Sequence, residues 1–210
     1  MSGPTSGMTF KQRLARLTTI LAVRAPLLWR FLRRPFRRYF TSLAPRWDAI
    51  VRPGHLAALA AALDSVPPPR RALDVGTGTG AAALLVAERF PDAEVTGVDL
   101  SPAMVAAARA KTPPELDGRL RFVEGDASAL PVATGSCDLV TLVNMIPFFE
   151  ELARVLAPAG TLAVSYSGGP RTPIWVPADR LRRELGRRGF DRFEENTHGA
   201  ATCLLARRTR

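Results

Sequence analysis

Residues 71–101 constrain this chain more than any other stretch. Ala72 to Val75 reads as a short buried strand that runs into a glycine turn at Gly76, Gly78 and Gly80. An alanine-rich helix is expected over Ala81 to Arg89, and a second strand over Glu94 to Val98 that ends on the carboxylate of Asp99. Strand, glycine turn, helix, strand and acid form the layout of a nucleotide-type binding unit. Glycines bring backbone close to a ligand, and the start of the next helix offers unpaired N–H groups. Asp99 falls 19 residues after Gly80, where an acid can accept from both hydroxyls of a ribose.

Two spacings fit the turn. Gly76, Gly78 and Ala81 satisfy the looser Gly-x-Gly-x-x-Gly/Ala form of a dinucleotide site. Asp74, Gly76, Gly78 and Gly80 satisfy acid-x-Gly-x-Gly-x-Gly in full. The second pattern resembles the first motif of class I methyltransferases that use S-adenosylmethionine. Further stretches carry the same resemblance. Residues 119–127 read as a third strand ending in Gly125-Asp126-Ala127, similar to the family's Gly-Asp-Ala turn, where the carboxylate takes the adenine amine. Leu152 to Leu162 looks like the family's Arg-Val-Leu-x-Pro-Gly-Gly-x-Leu, with Ala159 in place of the first glycine. The positive φ of that turn is expected at Gly160. Residues 39–52 resemble an aromatic-rich segment of small-molecule methyltransferases, including the ubiquinone/menaquinone biosynthesis group. Tyr39 and Trp47 are its aromatics here, read either as a cover over the cofactor or as packing at a helix junction.

The resemblance implies S-adenosylmethionine as cofactor. Its site would comprise Asp74, Gly76, Thr77, Gly78, Gly80, Asp99, Leu100, Met104, Asp126, Ala127 and Asn144, with Tyr39 and Trp47 above. The implied fold is α/β: a doubly wound seven-stranded sheet, mostly parallel with an antiparallel last strand, preceded by N-terminal helices. The implied reaction moves a methyl group to a small, apolar or aromatic acceptor. Such a transfer needs a base only when the acceptor's pKa is high. Tyr166 is nominated as acid/base, and His55 and His198 are read as surface residues. Phe148, Phe149 and Trp175 join Tyr166 as candidate acceptor contacts. Met145 and Ile146 interrupt what would be the Asn-Pro-Pro-aromatic box of amino-methylating DNA enzymes. Two other readings stand beside this one: a regulatory or scaffold protein that binds the cofactor without transferring methyl, and an NAD-dependent oxidoreductase.

The 210 residues, 47% hydrophobic, suffice for one domain with a sizeable core. Charge divides them. Residues 1–52 hold eleven Lys or Arg against Asp48, which equals the net +10 of the whole chain; the other 18 basic and 18 acidic residues cancel. The expected organisation is a basic helical extension or lid over 1–52 and a cofactor-binding domain over 53–210. From Phe10 onward, apolar residues at helical spacing alternate with Arg, and Pro26 and Pro35 are expected to break or kink the helices. This segment has three readings: helices packed over the cofactor site, an amphipathic anchor on anionic membrane through residues 10–38, or, least favoured, a nucleic-acid arm. Its longest uncharged run is too short to span a bilayer. Cys137 and Cys203 are expected as buried thiols with one strand between them, and no metal-ligand spacing is present. The expected compartment is cytoplasmic, with peripheral membrane contact as an addition.

Overall fold

A computed structural model describes residues 28–51 and 53–208. The N-terminal basic residues before Leu28, and Pro26, lie outside the described residues. Helix α1 (Trp29–Leu43) leads through a 3-10 turn into the short α2 (Trp47–Ile50), and α3 (Ala57–Leu63) precedes the sheet. Then follow β1 (Arg71–Val75), α4 (Ala81–Arg89), β2 (Glu94–Asp99), α5 (Pro102–Ala110) and β3 (Leu120–Glu124). The second half holds β4 (Cys137–Val143), α6 (Phe149–Val155), β5 (Leu156–Tyr166), α7 (Ala178–Gly186), β6 (Arg192–His198) and β7 (Ala201–Arg207).

The seven strands are ordered β3-β2-β1-β4-β5-β7-β6. Strands β1 to β5 pair in parallel, and β7 runs antiparallel to both β5 and β6. The doubly wound sheet with its antiparallel last strand is therefore as expected. The direction of winding reverses between β1 and β4, and ligands of such sheets bind in the crevice that this opens at the strands' carboxyl ends. The glycine turn after β1 sits at that edge.

Side chains alternate across the sheet with the two-residue period of a strand. Leu73, Val75, Val140, Leu142, Leu162 and Val164 join one buried cluster, while Ala72, Leu139, Ala163 and Leu205 join another. Both faces are covered, so β1, β4 and β5 read as apolar runs. Helix α5 starts where Ser101-Pro102 predicts a capped helix: Pro102 occupies the first turn, and the Ser101 hydroxyl accepts from the Met104 N–H at 3.3 Å. Cys137 on β4 and Cys203 on β7 are free, buried and separated by β5. Among the described residues, no helix is long and apolar enough to cross a membrane.

Three local expectations are corrected. Pro35 does not divide the basic segment, because α1 runs through it for fifteen residues. Trp29, Leu32 and Phe36 pack onto the core, and that anchorage outweighs the one backbone hydrogen bond a proline removes. The stretch from His55 to Val66, whose apolar spacing predicts one amphipathic helix, is helical only over Ala57–Leu63, with turns on either side. The left-handed residue before β5's paired stretch is Ala159, with φ +62°, and not Gly160. Gly160 is needed for space: a Cβ there would meet the Leu156 side chain at 2.8 Å and the Ala157 carbonyl at 3.0 Å.

Candidate functional site

A cavity of about 500 Å³ opens at the carboxyl ends of β1, β2 and β4, within the size range of small-ligand sites. Its floor is the glycine turn. The N–H groups of Gly76 and Thr77 both donate to the Val98 carbonyl, at 2.8 and 3.0 Å, which folds the turn onto the end of β2. Gly76 has φ +71°, and a Cβ would strike Met145 Sδ at 2.7 Å. The turn can lie this close to the β4 loop only as glycine.

Two carboxylates enter this floor. Asp99 accepts from the Gly78 N–H at 2.8 Å and the Ser101 N–H at 2.9 Å. Burial pushes its carboxyl up, opposed by those backbone donors and by that of Leu100. Asp74 is 2% exposed. One of its oxygens accepts from the Thr141 hydroxyl at 2.8 Å. Its Oδ2 has no hydrogen-bond partner. Thr77 lies beside it, yet the Thr77 hydroxyl also lacks a bond of acceptable geometry, so the two are near but misaligned. Burial raises the Asp74 carboxyl from 3.8 to about 6; the Thr77 and Thr141 hydroxyls and, more weakly, the Ala83 N–H pull it down, and the charge of Asp99 adds to the rise. A buried, unsatisfied carboxylate beside a second acid calls for a cationic donor. The pyrophosphate of a dinucleotide would bring negative charge to both.

The N-terminal segment roofs the cavity. Trp29, Phe36, Phe40 and Trp47 line it from above, and Met145, Ile146 and Ile174 complete the apolar wall. Ring contacts run through the roof, Trp29 with Phe36 at 5.3 Å and Phe40 with Trp47 at 5.8 Å between centroids. Polar contacts fasten it at several points. Trp29 Nε1 donates to Asp126 Oδ1 at 2.8 Å, and Thr41 and Ser101 share a hydroxyl bond of 2.9 Å. The Thr79 hydroxyl donates to Asp48 at 2.6 Å, and Lys111 pairs with the other Asp48 oxygen. Burial alone would raise the Asp48 carboxyl, but Lys111 and Thr79 more than reverse it.

Of the residues singled out in the sequence, Asp74, Gly76, Thr77, Gly78, Asp99 and Leu100 line this cavity. So do Met104, Ala127, Asn144 and Trp47. Asn144 takes φ +51° and ties the ends of β4 and β5 together through the Ser167 hydroxyl and N–H, at 2.8 and 2.9 Å. Four residues stand apart from the wall. Gly80 caps α4 in the left-handed region behind the turn. Asp126 lies between the wall residues Gly125 and Ala127, but its Oδ1 accepts from Trp29, the Ser128 N–H and the Ser128 hydroxyl. Tyr39 is 57% exposed on the outside of α1. Tyr166 is 1% exposed and belongs to the core; burial pushes its phenol up, which disfavours an acid/base role. Phe148 and Phe149 are core residues as well.

His55 is the converse case. Read as a surface residue, it lines the cavity near Asp48. The sequence carries one hint, since the Pro53-Gly54 turn before it leads back toward the sheet. The roof stripe Trp29, Phe36 and Phe40 was visible only as helical spacing in a basic segment. Among the described residues no cluster of His, Cys, Asp or Glu could hold a metal.

Residues 72–160 match the family described as "Methyltransferase domain". The chain is 42% identical over 141 residues to a demethylmenaquinone methyltransferase of Thermus thermophilus, covering 60% of this chain and 62% of that protein. It is 39% identical over 155 residues to the protein of that name from Deinococcus radiodurans, covering 68% and 64%. The chain thus spans under two thirds of the length of these relatives. The fold is similar to a SAM-dependent methyltransferase from Aquifex aeolicus, with TM-score 0.62, 19% identity, and 78% and 97% of the two chains covered. With the acid-led glycine turn at the switch point of a sheet that ends antiparallel, these likenesses show that residues 72–160 carry a methyltransferase domain and that the fold is the one found in S-adenosylmethionine-dependent methyltransferases.

Proposed function

We propose that the chain binds S-adenosylmethionine in this cavity and methylates a small apolar, aromatic acceptor beneath the roof of α1 and α2. The observation that carries the reading is Asp74 Oδ2, buried and without a partner in a cavity that also holds Asp99. An α-ammonium and a sulfonium are the charges such a floor would take. Asp99 keeps lone pairs free for a ribose diol, since each oxygen accepts one backbone bond. When bound, the cofactor supplies an electrophilic methyl group on sulfur. The chain's own tasks are then to orient the acceptor and exclude water. Trp29, Phe36, Phe40, Met145 and Ile146 provide an apolar enclosure for both. His55 is the imidazole in this wall and the group placed to take a proton from an acceptor.

Relatives named for demethylmenaquinone methylation support a quinone-type ring as acceptor. Residues 1–52 would serve as the cover and 53–210 as the cofactor domain. An acceptor of this kind resides in lipid, so the reading includes peripheral contact of the basic segment with anionic membrane. Calorimetric titration with S-adenosylhomocysteine and with NAD, followed by radiolabelled methyl transfer to a reduced naphthoquinone, tests the reading. Binding of the first ligand alone and labelled product are expected. NAD binding, or tight homocysteine-analogue binding with no transfer to any quinol, would overturn it.

A further inference from the structure

The inner side of α1 is spent on the cavity, and its outer side is not. All four large hydrophobic side chains that the described residues expose lie between 28 and 50: Leu28 at 43%, Phe31 at 65%, Tyr39 at 57% and Ile50 at 54%. On α1 they are ordered. Phe31, Pro35 and Tyr39 recur every four residues, which sets them in one stripe along the helix. Arg30, Arg34 and Arg38 form the adjacent stripe at the same spacing. All six residues are exposed.

Charge separates this face from the flank below it. Arg33 and Arg37 reach Asp126 and Glu124, at 3.7 and 2.5 Å. Helix α1 itself contains no acidic residue. Among the described residues, Arg34 and Arg38 meet no carboxylate, and Arg30 lies over the Phe31 ring at 4.8 Å. A soluble surface rarely gathers its exposed apolar side chains onto one element without a partner. Arginines beside an aromatic and apolar stripe match the two layers of an anionic membrane surface, phosphate above and acyl chain below.

We propose that the outer face of α1, with Leu28 and Ile50 at its ends, docks on the anionic surface of a lipid bilayer. The proposal rests on the reading of α1 as the roof of an apolar-acceptor site. It adds the orientation: the stripes of Phe31 and Arg34 face lipid, while Trp29 and Phe36 face the cavity. The roof then separates bilayer from active site by one helix, and its displacement would admit an acceptor directly from the membrane. Tyr39 belongs to the lipid-facing side. Nucleic acid is disfavoured, because Leu28, Pro35 and Ile50 add aliphatic surface beside the two rings that a phosphate backbone would leave uncovered.

The test is cosedimentation of the full chain with vesicles of phosphatidylglycerol and phosphatidylcholine at low and moderate salt. Wild type should bind, release as salt rises, and ignore vesicles of phosphatidylcholine alone. Arg34→Glu/Arg38→Glu should bind about 25-fold or more weakly, at about fivefold for each arginine lost near the surface, and Phe31→Ser should also weaken binding. Arg180→Glu/Arg192→Glu, outside the roof, changes net charge equally and should bind far better than the α1 double variant. Each variant is also titrated with S-adenosylhomocysteine, where an unchanged affinity shows an intact fold. Equal binding to neutral vesicles, equal loss in both double variants, or unchanged binding in the α1 variants would overturn the proposal. So would preferential capture by duplex DNA. Homocysteine-analogue binding without vesicle binding refutes the docking alone, and vesicle binding without the analogue refutes the cofactor reading.

Discussion

Replacing Asp74 by Asn should make the protein more stable and a poorer binder at once. Burial holds this carboxyl at about 6 against 3.8 for an ordinary aspartate. The folded state therefore binds the proton more tightly than the unfolded chain does. Its contribution to stability is greatest below 3.8 and falls as pH rises toward 6, so at pH 7 the ionised group costs the ligand-free protein about 3 kcal/mol. Asparagine keeps an oxygen for the Thr141 hydroxyl and drops the charge, but its amide must find its own partner. A net gain of about 1–2 kcal/mol is expected, or roughly 2–8 °C in Tm for a chain of this size. S-adenosylhomocysteine carries the α-ammonium that would meet Oδ2. Losing a hydrogen bond to a charged group costs about 1.5–3 kcal/mol, or about 10–150-fold in Kd. For wild type, a carboxyl titrating near 6 should weaken binding about tenfold between pH 7 and pH 5. The asparagine variant should lose that slope. Differential scanning fluorimetry and calorimetry at both pH values measure all of this. A lower Tm with unchanged affinity would refute the account, and a pH slope that survives in the variant would move the titration to His55 or Asp99.

Other outcomes follow from single contacts. Ala159→Gly should stabilise the fold by about 1 kcal/mol in chemical denaturation, since an alanine at φ +62° costs about 1–2 kcal/mol and glycine returns part of that as backbone entropy. Gly97→Ala should destabilise by about 1–3 kcal/mol and weaken S-adenosylhomocysteine binding, because its Cβ would fall 2.5 Å from the Phe122 ring and 2.7 Å from the Thr77 hydroxyl. His55→Gln should lower kcat by about 10²-fold or more toward a quinol while the Kd of S-adenosylhomocysteine stays within about twofold; a loss in Kd alone would make His55 a cofactor contact instead.

Much of this protein is legible along the chain. The acid-led glycine turn, Asp99 and the Gly125-Asp126-Ala127 turn are local features with local reasons. The central strands β1, β4 and β5 are runs of apolar residues, because a sheet covered on both faces has no wet side to mark. Helix α5 declares itself through Ser101 and Pro102. The sheet with its closing antiparallel strand was within reach through the family resemblance, because connection rules narrow the possible topologies without selecting one.

Tertiary structure decided what these elements share. Asp126 reads as a cofactor residue, yet its Oδ1 takes the Trp29 indole, from 97 residues away in sequence. Tyr39 and Trp47 look equivalent in the sequence, but only Trp47 reaches the cavity, because the turn of α1 points Tyr39 outward. His55 and Tyr166 exchange roles for the same reason: proximity to a cavity depends on packing between distant elements, which no short-range pattern encodes. Pro35 sits in an unbroken helix because the roof's aromatic stripe is held on the core. Local spacing determined which segments fold and what the glycine turn can bind, while long-range packing chose which side chains meet there.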